Sequence, residues 1–382
     1  MAAVVTVFGL VPRYIGGSEN YARELSLQLA THGWKSVVCF LSEPPEDVKK
    51  YLDLPNITIE VLENSVNPHQ GISTLKKLSK ILIKHEARIL HLHLVGFVGP
   101  YPWLARLLGV KKVFFTNHTS QPEGFVPTRS PLWKRILVRI INAPMSNVIC
   151  VSEYNKRCLQ TFDLLSKKKI IVISNGVDFE RVKPSQERAR AFREKHGIPA
   201  DRQLVIQISW MIPEKGVSDL LEAAQLVIEK DSQVHFVFVG DGAGRESFKK
   251  QAIDLGISDH VTWTGLIQDP FFEGVFDAAD FACQPSRWEE AFGQVIAEAM
   301  AYGKPVIGTA VGGIAEVIES DVSGFIIPKR DINALSEKIL CLLRNPELRQ
   351  TMGTAGQCAS RSKFDLRKTV NQLVQLYGEP KN

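Results

Sequence analysis

Short runs rich in Val, Ile and Phe alternate with longer amphipathic stretches along the whole chain. AVVTVFG (3–9), SVVCFLS (36–42), ITIEVLE (57–63), RILHLHL (88–94), VFFTNH (113–118), NVICVSE (147–153) and KIIVISNG (169–176) are apolar at consecutive positions. Strands of a parallel sheet read this way when helices cover both faces. A second series follows the charged helical stretch Gln186–His196: LVIQISW (204–210), HFVFVGDG (235–242), VTWTG (261–265), FACQPS (281–286), PVIGTA (305–310) and the run closing at Pro328. The restart predicts an α/β fold of two doubly wound, Rossmann-like domains, 1–183 and 184–363, with a linker between about 180 and 200. Leu366, Val370, Leu373, Val374 and Tyr377 recur at helical spacing, so a closing helix within 364–382 is expected to pack on either domain.

Ligands of open parallel sheets bind beyond the carboxyl ends of the strands, at the point where strand order reverses. Polar and glycine signals cluster there: Gly16-Gly17 after the first strand, His93 after the fourth, Asn117-His118 after the fifth, Trp210 to Lys215, and Pro285 to Gly293. Two such sheets with facing loop edges would enclose a deep cleft between the domains.

Length and composition narrow the class. The 382 residues are 45% hydrophobic, with no apolar run approaching the roughly 20 residues that span a bilayer. A start without a basic segment or a small-residue cleavage pattern argues against a secretory signal. Six cysteines without a C-x-x-C pair argue against a disulfide framework or zinc module and fit a reduced, cytoplasmic setting. The net charge of +5 is unevenly divided: residues 1–183 carry 24 Lys and Arg against 14 Asp and Glu, and the remainder 22 against 27.

The stretch PSRWEEAFGQVIAEAMAYG (285–303) holds the most chemistry. A helix starting near Phe292 is apolar almost all round, yet places Gln294 and Glu298 on one face. A carboxylate there needs a structural partner, solvent or ligand hydroxyls, because burying it alone costs several kcal/mol. Glu290 brings a second carboxylate near the helix start, whose free N–H groups attract anions. A buried helix with an internally paired Glu298 is the alternative reading.

This region, EEAFGQVIAEAMAYGKPVIGTAVGGIAEVI, resembles the signature of the retaining glycosyltransferases of family 4, enzymes of the GT-B fold, with Glu290 and Glu298 as the paired glutamates. GGSENYARELSLQLATHGW, HLH (91–93), NH (117–118), VSEYNK, ISNGVD, PEKG (213–216), VGDG (239–242) and the DAAD-to-PS stretch match in order, so the likeness covers nearly the whole chain. It implies transfer of a sugar from a UDP- or GDP-linked donor to a glycan, lipid or small-molecule acceptor, as in polysaccharide biosynthesis. The first domain would serve the acceptor and the second the nucleotide-sugar. By position, Glu298 would bind the ribose hydroxyls and Glu290 the transferred sugar, while Phe292, Gly293, Gln294 and Val295 offer N–H groups near the diphosphate. Lys215 would neutralise that diphosphate, Gly17 would approach it, and His118 would lie near the reacting carbon. The resemblance thus implies His118, Glu290 and Lys215 as the catalytic positions, with no metal and no cofactor.

One departure stands out. Family members usually carry Gly-Arg after the first strand of the second domain, where this chain has Ser209-Trp210. Either Arg245 or Arg287 replaces the guanidinium or turnover is slow, and Trp210 is read as packing in preference to a stacking surface. The departure keeps open a catalytically silent nucleotide-sugar binding protein; a nucleotide-sugar epimerase on the same architecture is the third alternative. His118 has a second reading as a core histidine tied to a carbonyl. His91, His93 and His118 together would suit a metal, but no carboxylate-rich motif accompanies them. Two basic amphipathic stretches are candidates for peripheral contact with an anionic membrane on its inner face: Leu75–Ile83 with Lys76, Lys77, Lys80 and Lys84, and PLWKRILVRII (131–141). Solvated helix faces are the commoner explanation. No module for reading nucleic acid accompanies the charge.

Overall fold

The computed structural model describes residues 2–62, 71–96 and 98–378; Glu63, at the end of the predicted third strand, and positions 379–382 of the closing segment lie outside the described residues. The chain divides into two units. The first comprises residues up to Thr119, Val126–Asn175 and the chain from Leu366 on; the second comprises Ser120–Phe125 and Gly176–Asp365. The division falls at Asn175/Gly176 rather than at 183. The expected linker contains a helix of the second unit, tied down where Arg188 pairs with Asp277 at 3.1 Å.

Unit 1 is built on strands β1 (Ala3–Phe8), β2 (Lys35–Phe40), β3 (Ile57–Val61), β4 (Ala87–His93), β5 (Lys112–Asn117), β6 (Asn147–Cys150) and β7 (Ile170–Val172). Its helices are α1 (Gly17–Thr31), α2 (Glu46–Tyr51), α3 (Ile72–Lys84), α4 (Tyr101–Leu107), α5 (Leu132–Ile141) and α6 (Glu153–Phe162). The strands pair in the order β3-β2-β1-β4-β5-β6-β7, all parallel. Every residue of β1 is buried, as the consecutive apolar pattern predicts for a central strand.

Unit 2 opens with α7 (Gln186–Lys195) and alternates β8 (Gln203–Ile208), α8 (Val217–Ile228), β9 (Val234–Val239), α9 (Arg245–Asp254), β10 (Val261–Gly265), α10 (Val275–Ala278), β11 (Phe281–Gln284), α11 (Gln294–Ala301), β12 (Val306–Thr309), α12 (Ile314–Val317) and β13 (Gly324–Ile327). Helices α13 (Ile332–Arg344) and α14 (Pro346–Lys363) follow. Its parallel sheet runs β10-β9-β8-β11-β12-β13. The strand order therefore reverses beside β1 and β4 in unit 1 and beside β8 and β11 in unit 2.

The last helix, α15 (Leu366–Tyr377), belongs to unit 1. Its predicted stripe of Leu366, Val370, Leu373, Val374 and Tyr377 is buried against Val4, Leu25, Leu29, Trp34, Ile89, Phe114 and Ile149. At roughly 1.5–3 kcal/mol per buried large apolar side chain, this stripe offsets a large part of the entropy lost in ordering the helix.

The two basic stretches behave differently. In α3, Leu78, Ile81 and Leu82 point into the unit 1 core, so its lysines form a solvated face, the commoner of the two readings of this stretch. In α5 only Val138 is buried, and Leu132, Trp133, Ile136, Leu137 and Ile140 are each about half exposed or more.

Candidate active site

In unit 2 the site forms around the β8/β11 reversal. Lys215 ends a short turn, Pro213–Lys215, between β8 and α8. The next residue, Gly216, has φ 68°, and a Cβ there would lie 1.8 Å from the Pro285 carbonyl oxygen. Only glycine lets this turn press against the chain leaving β11. As a result, Lys215 Nζ donates to Glu290 Oε1 at 2.6 Å and lies 5.7 Å from the centre of the Trp288 ring. Ser286 Oγ donates to the same carboxylate oxygen at 2.7 Å. Ser120 Oγ, which accepts from the Ala291 N–H at 3.1 Å, stands 3.5 Å from Glu290 Oε2. The Glu290 main chain is held from behind: Gly313 N–H donates to its carbonyl at 2.7 Å. Gly312, at φ 49°, leaves no room for a Cβ, which would lie 2.2 Å from that carbonyl oxygen.

Four residues after Glu290, α11 begins, two residues later than the sequence pattern predicts. Phe292 is buried, edge-to-face with Phe364 at 5.2 Å, so only its main chain is presented. Gly293 caps the helix, and the N–H groups of Gln294 and Val295 lie in a first turn that has no carbonyl of its own to bond. Such a terminus favours an anion through its free donors and its dipole. Gln294 Nε2 donates to Glu298 Oε1 at 3.0 Å and to the Gly176 carbonyl at 3.1 Å. Burial pushes the Glu298 carboxyl up to about 7, opposed by the Gln294 hydrogen bond and by the nearby Arg181 charge. Arg181 is itself paired with Asp269 at 2.5 Å and packs over Phe271. The internal partner considered for Glu298 is thus a neutral amide. One helix turn of this unit carries free N–H donors and a carboxylate whose charge is uncompensated by a direct cation.

In unit 1 the reversal lies between β1 and β4. Gly17 opens α1, and a Cβ there would meet no atom within 4 Å. The preceding Gly16 N–H is capped by Glu19 Oε2 at 3.0 Å. His91 and His93 project from β4 on one side, their ring centres 4.0 Å apart. His91 is fully buried and both ring nitrogens are taken, by the Tyr377 hydroxyl of α15 and by Thr116 Oγ1 at 2.7 Å. His93 stacks on Phe8 at 4.9 Å, and its Nδ1 lies 3.4 Å from Nε2 of His118. Burial lowers all three imidazoles, His91 to about 3 and His118 to about 4. They are neutral near pH 7. The core-histidine reading for His118 fails in its detail, since its partner is His93 and not a carbonyl. With both nitrogens of His91 engaged, this trio does not offer three ligands to a metal. Among the described residues no group of three or more His, Cys, Asp or Glu is placed to hold one.

The loop carrying His118 is pinned by residues that the sequence reading did not single out. Asn155, which sits in the N-terminal turn of α6 capped by Ser152, accepts from Asn117 Nδ2 and donates to the Thr119 carbonyl at 3.2 Å. Thr119 N–H donates to Asn117 Oδ1 at 3.1 Å. The segment VSEYNK carried the signal for Asn155. Nothing local marked Ser120, Arg181 or Tyr377, whose partners lie far away in the chain. Trp210 is 61% exposed, which corrects the expectation of packing. Of the two candidate substitutes for the missing arginine, Arg287 is held in a two-point pair with Asp219 and is not free to turn to a ligand. Arg245 makes only a loose contact with Asp241, at 3.7 Å.

Two doubly wound parallel-sheet units, each with its polar groups at the strand-order reversal, define a nucleotide-binding type of architecture. Known proteins narrow this to a family. Residues 15–181 match the family model described as Glycosyltransferase Family 4, and residues 189–358 the model described as Glycosyl transferases group 1. The chain is 33% identical to the uncharacterized glycosyltransferase MJ1178 of Methanocaldococcus jannaschii over 314 residues, 81% of this chain and 82% of that one. Among solved structures, a glycosyltransferase from Rickettsia africae superposes with a TM-score of 0.84 at 22% identity, over 99% of this chain and 98% of that one. HepE of Anabaena, in complex with UDP and glucose, does so at 0.77 and 20% identity, over 99% of both chains. The chain belongs to the family 4-type glycosyltransferases of the GT-B fold.

Proposed function

We propose that this glycosyltransferase moves a hexose from a UDP- or GDP-sugar to a glycan or lipid-linked acceptor with retention of anomeric configuration. The observation that carries the reading is the Lys215–Glu290 pair at the strand-order reversal of unit 2, four residues before a helix that begins with free N–H groups and bears Glu298. The leaving group is a nucleoside diphosphate. An ammonium and a helix start stabilise the negative charge that develops on it, without proton transfer and without a metal. A HepE crystal holding UDP and glucose supports a uridine diphosphate donor by analogy of fold.

Within a retaining reaction, the way Glu290 is held bears on the route taken. Its Oε1 already accepts from Lys215 and Ser286, which lowers the nucleophilicity of that carboxylate. That favours attack of the acceptor on the face the diphosphate leaves, the diphosphate taking the acceptor proton, over a covalent glycosyl-Glu290. Glu290 then holds sugar hydroxyls, while Glu298 accepts from the ribose and raises its fraction ionised as those hydroxyls replace lost water. Gly17 and His118 keep the roles that the resemblance implies.

The exposed α5 supports a second part of the proposal, attachment to an anionic bilayer surface on the cytoplasmic side. Five exposed apolar residues share the helix with the exposed Lys134 and Arg139, which suits a surface that is apolar beneath and negative above. No helix among the described residues is long and apolar enough to cross a membrane.

A donor screen that measures released UDP, GDP or ADP, followed by NMR of the product's anomeric coupling, tests the enzymatic reading. Turnover with an inverted product would remove the retaining assignment. The exposed Trp210 and the occupied Arg287 favour one rival, a protein that binds the donor and never consumes it. Tight UDP or GDP binding with no turnover of any donor and acceptor pair would establish that rival.

A further inference from the structure

A polar cavity lies in unit 1, at the end of α5. It measures about 470 Å³ and is lined by Arg139, Asn142, Asp163, Ser166, Lys167 and Lys169, with Ala143 and Leu165. Asn142 is 1% exposed, and neither its Oδ1 nor its Nδ2 has a partner. A buried amide left empty at both ends costs free energy that a packed apolar residue would not. Its presence in the wall of a cavity ringed by cations points to a ligand that satisfies it.

The charge around the cavity is one-sided. Asp163 is the one acid lining it, and that carboxylate is already shared by Arg129, Arg135 and Arg139. Lys167 has no ion-pair partner among the described residues, and Lys168 is exposed beside it. The end of a helix would ordinarily repel an anion, because its last carbonyls are negative. Here one of those carbonyls, and two just beyond the helix end, are bonded within the protein. The Ile140 carbonyl accepts from Trp103 Nε1 at 3.0 Å, and Lys169 Nζ donates to the carbonyls of Ala143 at 2.8 Å and Met145 at 2.7 Å. The repulsion at this end is thereby reduced, and Lys167, Arg139 and the Asn142 amide remain in the cavity wall.

We infer that this cavity binds a phosphoester, with Lys167 and Arg139 facing the phosphate, Asn142 Nδ2 donating to it, and Asn142 Oδ1 accepting from a hydroxyl of the attached alcohol. Asn142 follows directly on the exposed apolar turn of α5. The phosphoester headgroup of an anionic phospholipid such as phosphatidylglycerol has this chemistry, and that source rests on the membrane attachment proposed above. A soluble phosphate ester has the same chemistry, and the experiment separates the two.

The wild-type chain, Asn142→Leu, Lys167→Ala and the double variant Trp133→Ser/Leu137→Ser are floated with phosphatidylcholine vesicles with and without phosphatidylglycerol. Each is also titrated with inorganic phosphate by calorimetry, with melting followed by circular dichroism. The expected results are preference of the wild type for the phosphatidylglycerol vesicles and a loss of about fivefold in that preference for Lys167→Ala. Asn142→Leu should lose the preference while melting no lower than wild type, because it removes two unpartnered polar atoms. The double variant should lose vesicle binding and keep the phosphate response. If no vesicle is bound but phosphate binds in an Asn142-dependent way, the membrane reading falls and the cavity stands as a site for soluble phosphoesters. If Asn142→Leu and Lys167→Ala behave as wild type toward both probes, or if the wild type binds neither, the inference is overturned.

Discussion

The two strand-order reversals of this protein are built from opposite materials. In unit 2 the groups are ionic and partly open: Lys215 against Glu290, Arg181 against Asp269, and Glu298 beside an amide. In unit 1 they are neutral and dry: three imidazoles, a phenol and two hydroxyl- or amide-bearing loops, held by hydrogen bonds. The same topology thus positions two kinds of chemistry. A diphosphate leaving group needs cations and N–H donors that do not reorganise as charge develops. On the role proposed for His118, a group beside the reacting sugar carbon has to be placed without adding a second positive charge that would oppose the cationic character developing there. Burial does this for the imidazoles, since desolvation penalises their protonated form.

Substitutions that exchange these materials test the contrast. The largest effect is expected from Lys215→Ala, about a hundredfold to a thousandfold fall in kcat, read as released nucleoside diphosphate, because Arg287 is committed to Asp219 and the lysine lacks the usual arginine partner. A loss smaller than tenfold, with melting unchanged, would show that the charge contrast does not carry the chemistry.

Glu298 gives the next effect, and it depends on pH. Its carboxyl, pushed up to about 7, is protonated below that value, so UDP or GDP affinity should rise as pH increases through about 7. Stability runs the other way: a folded pKa above the ordinary 4.5 contributes most below the unfolded value and is lost as pH climbs from about 4.5 to 7. Glu298→Gln should weaken nucleotide binding by about tenfold or more at alkaline pH and flatten both profiles, measured by calorimetry and thermal melting.

His118→Gln should lower kcat about fivefold to tenfold, with no inflection near 6.5 in the wild-type rate profile attributable to this residue. With the folded value of His118 depressed to about 4, its contribution to stability is present above about 6.5 and declines as pH falls toward 4. The smallest catalytic effect is expected from Tyr377→Phe, which leaves a His91 nitrogen unpartnered in a fully buried site. A cost of about 1–3 kcal/mol in thermal or urea melting, with kcat changed less than by His118→Gln, would separate support from contact.

Comparing residues shows how much was legible beforehand. The strands of both sheets were readable because burial on both faces forces consecutive apolar residues, as in β1 and β9, where every position is buried. Lys215 and Glu290, both named from ordered motifs, meet at 2.6 Å, while Glu298 lies on the helix that follows. Trp210 was misjudged, and α3 and α5 could not be told apart, because local amphipathicity says which residues are apolar and not which side a neighbour covers. The helix α3 presses its leucines into the core, while α5, with a similar pattern, keeps five apolar residues outside.

The chain by itself determined its two doubly wound halves, the polar positions at the ends of their strands and the family to which they belong, since periodicity and short-range motifs are properties of neighbouring residues. Tertiary structure alone decided that α15 rejoins the first unit and brings Tyr377 to His91, 286 positions earlier, and that Ser120 lies beside Glu290, 170 positions later. It also decided that Asn142 is buried with nothing to bond. Those facts depend on which distant surfaces exclude water together, and no local pattern of polar and apolar residues encodes the partner on the other side.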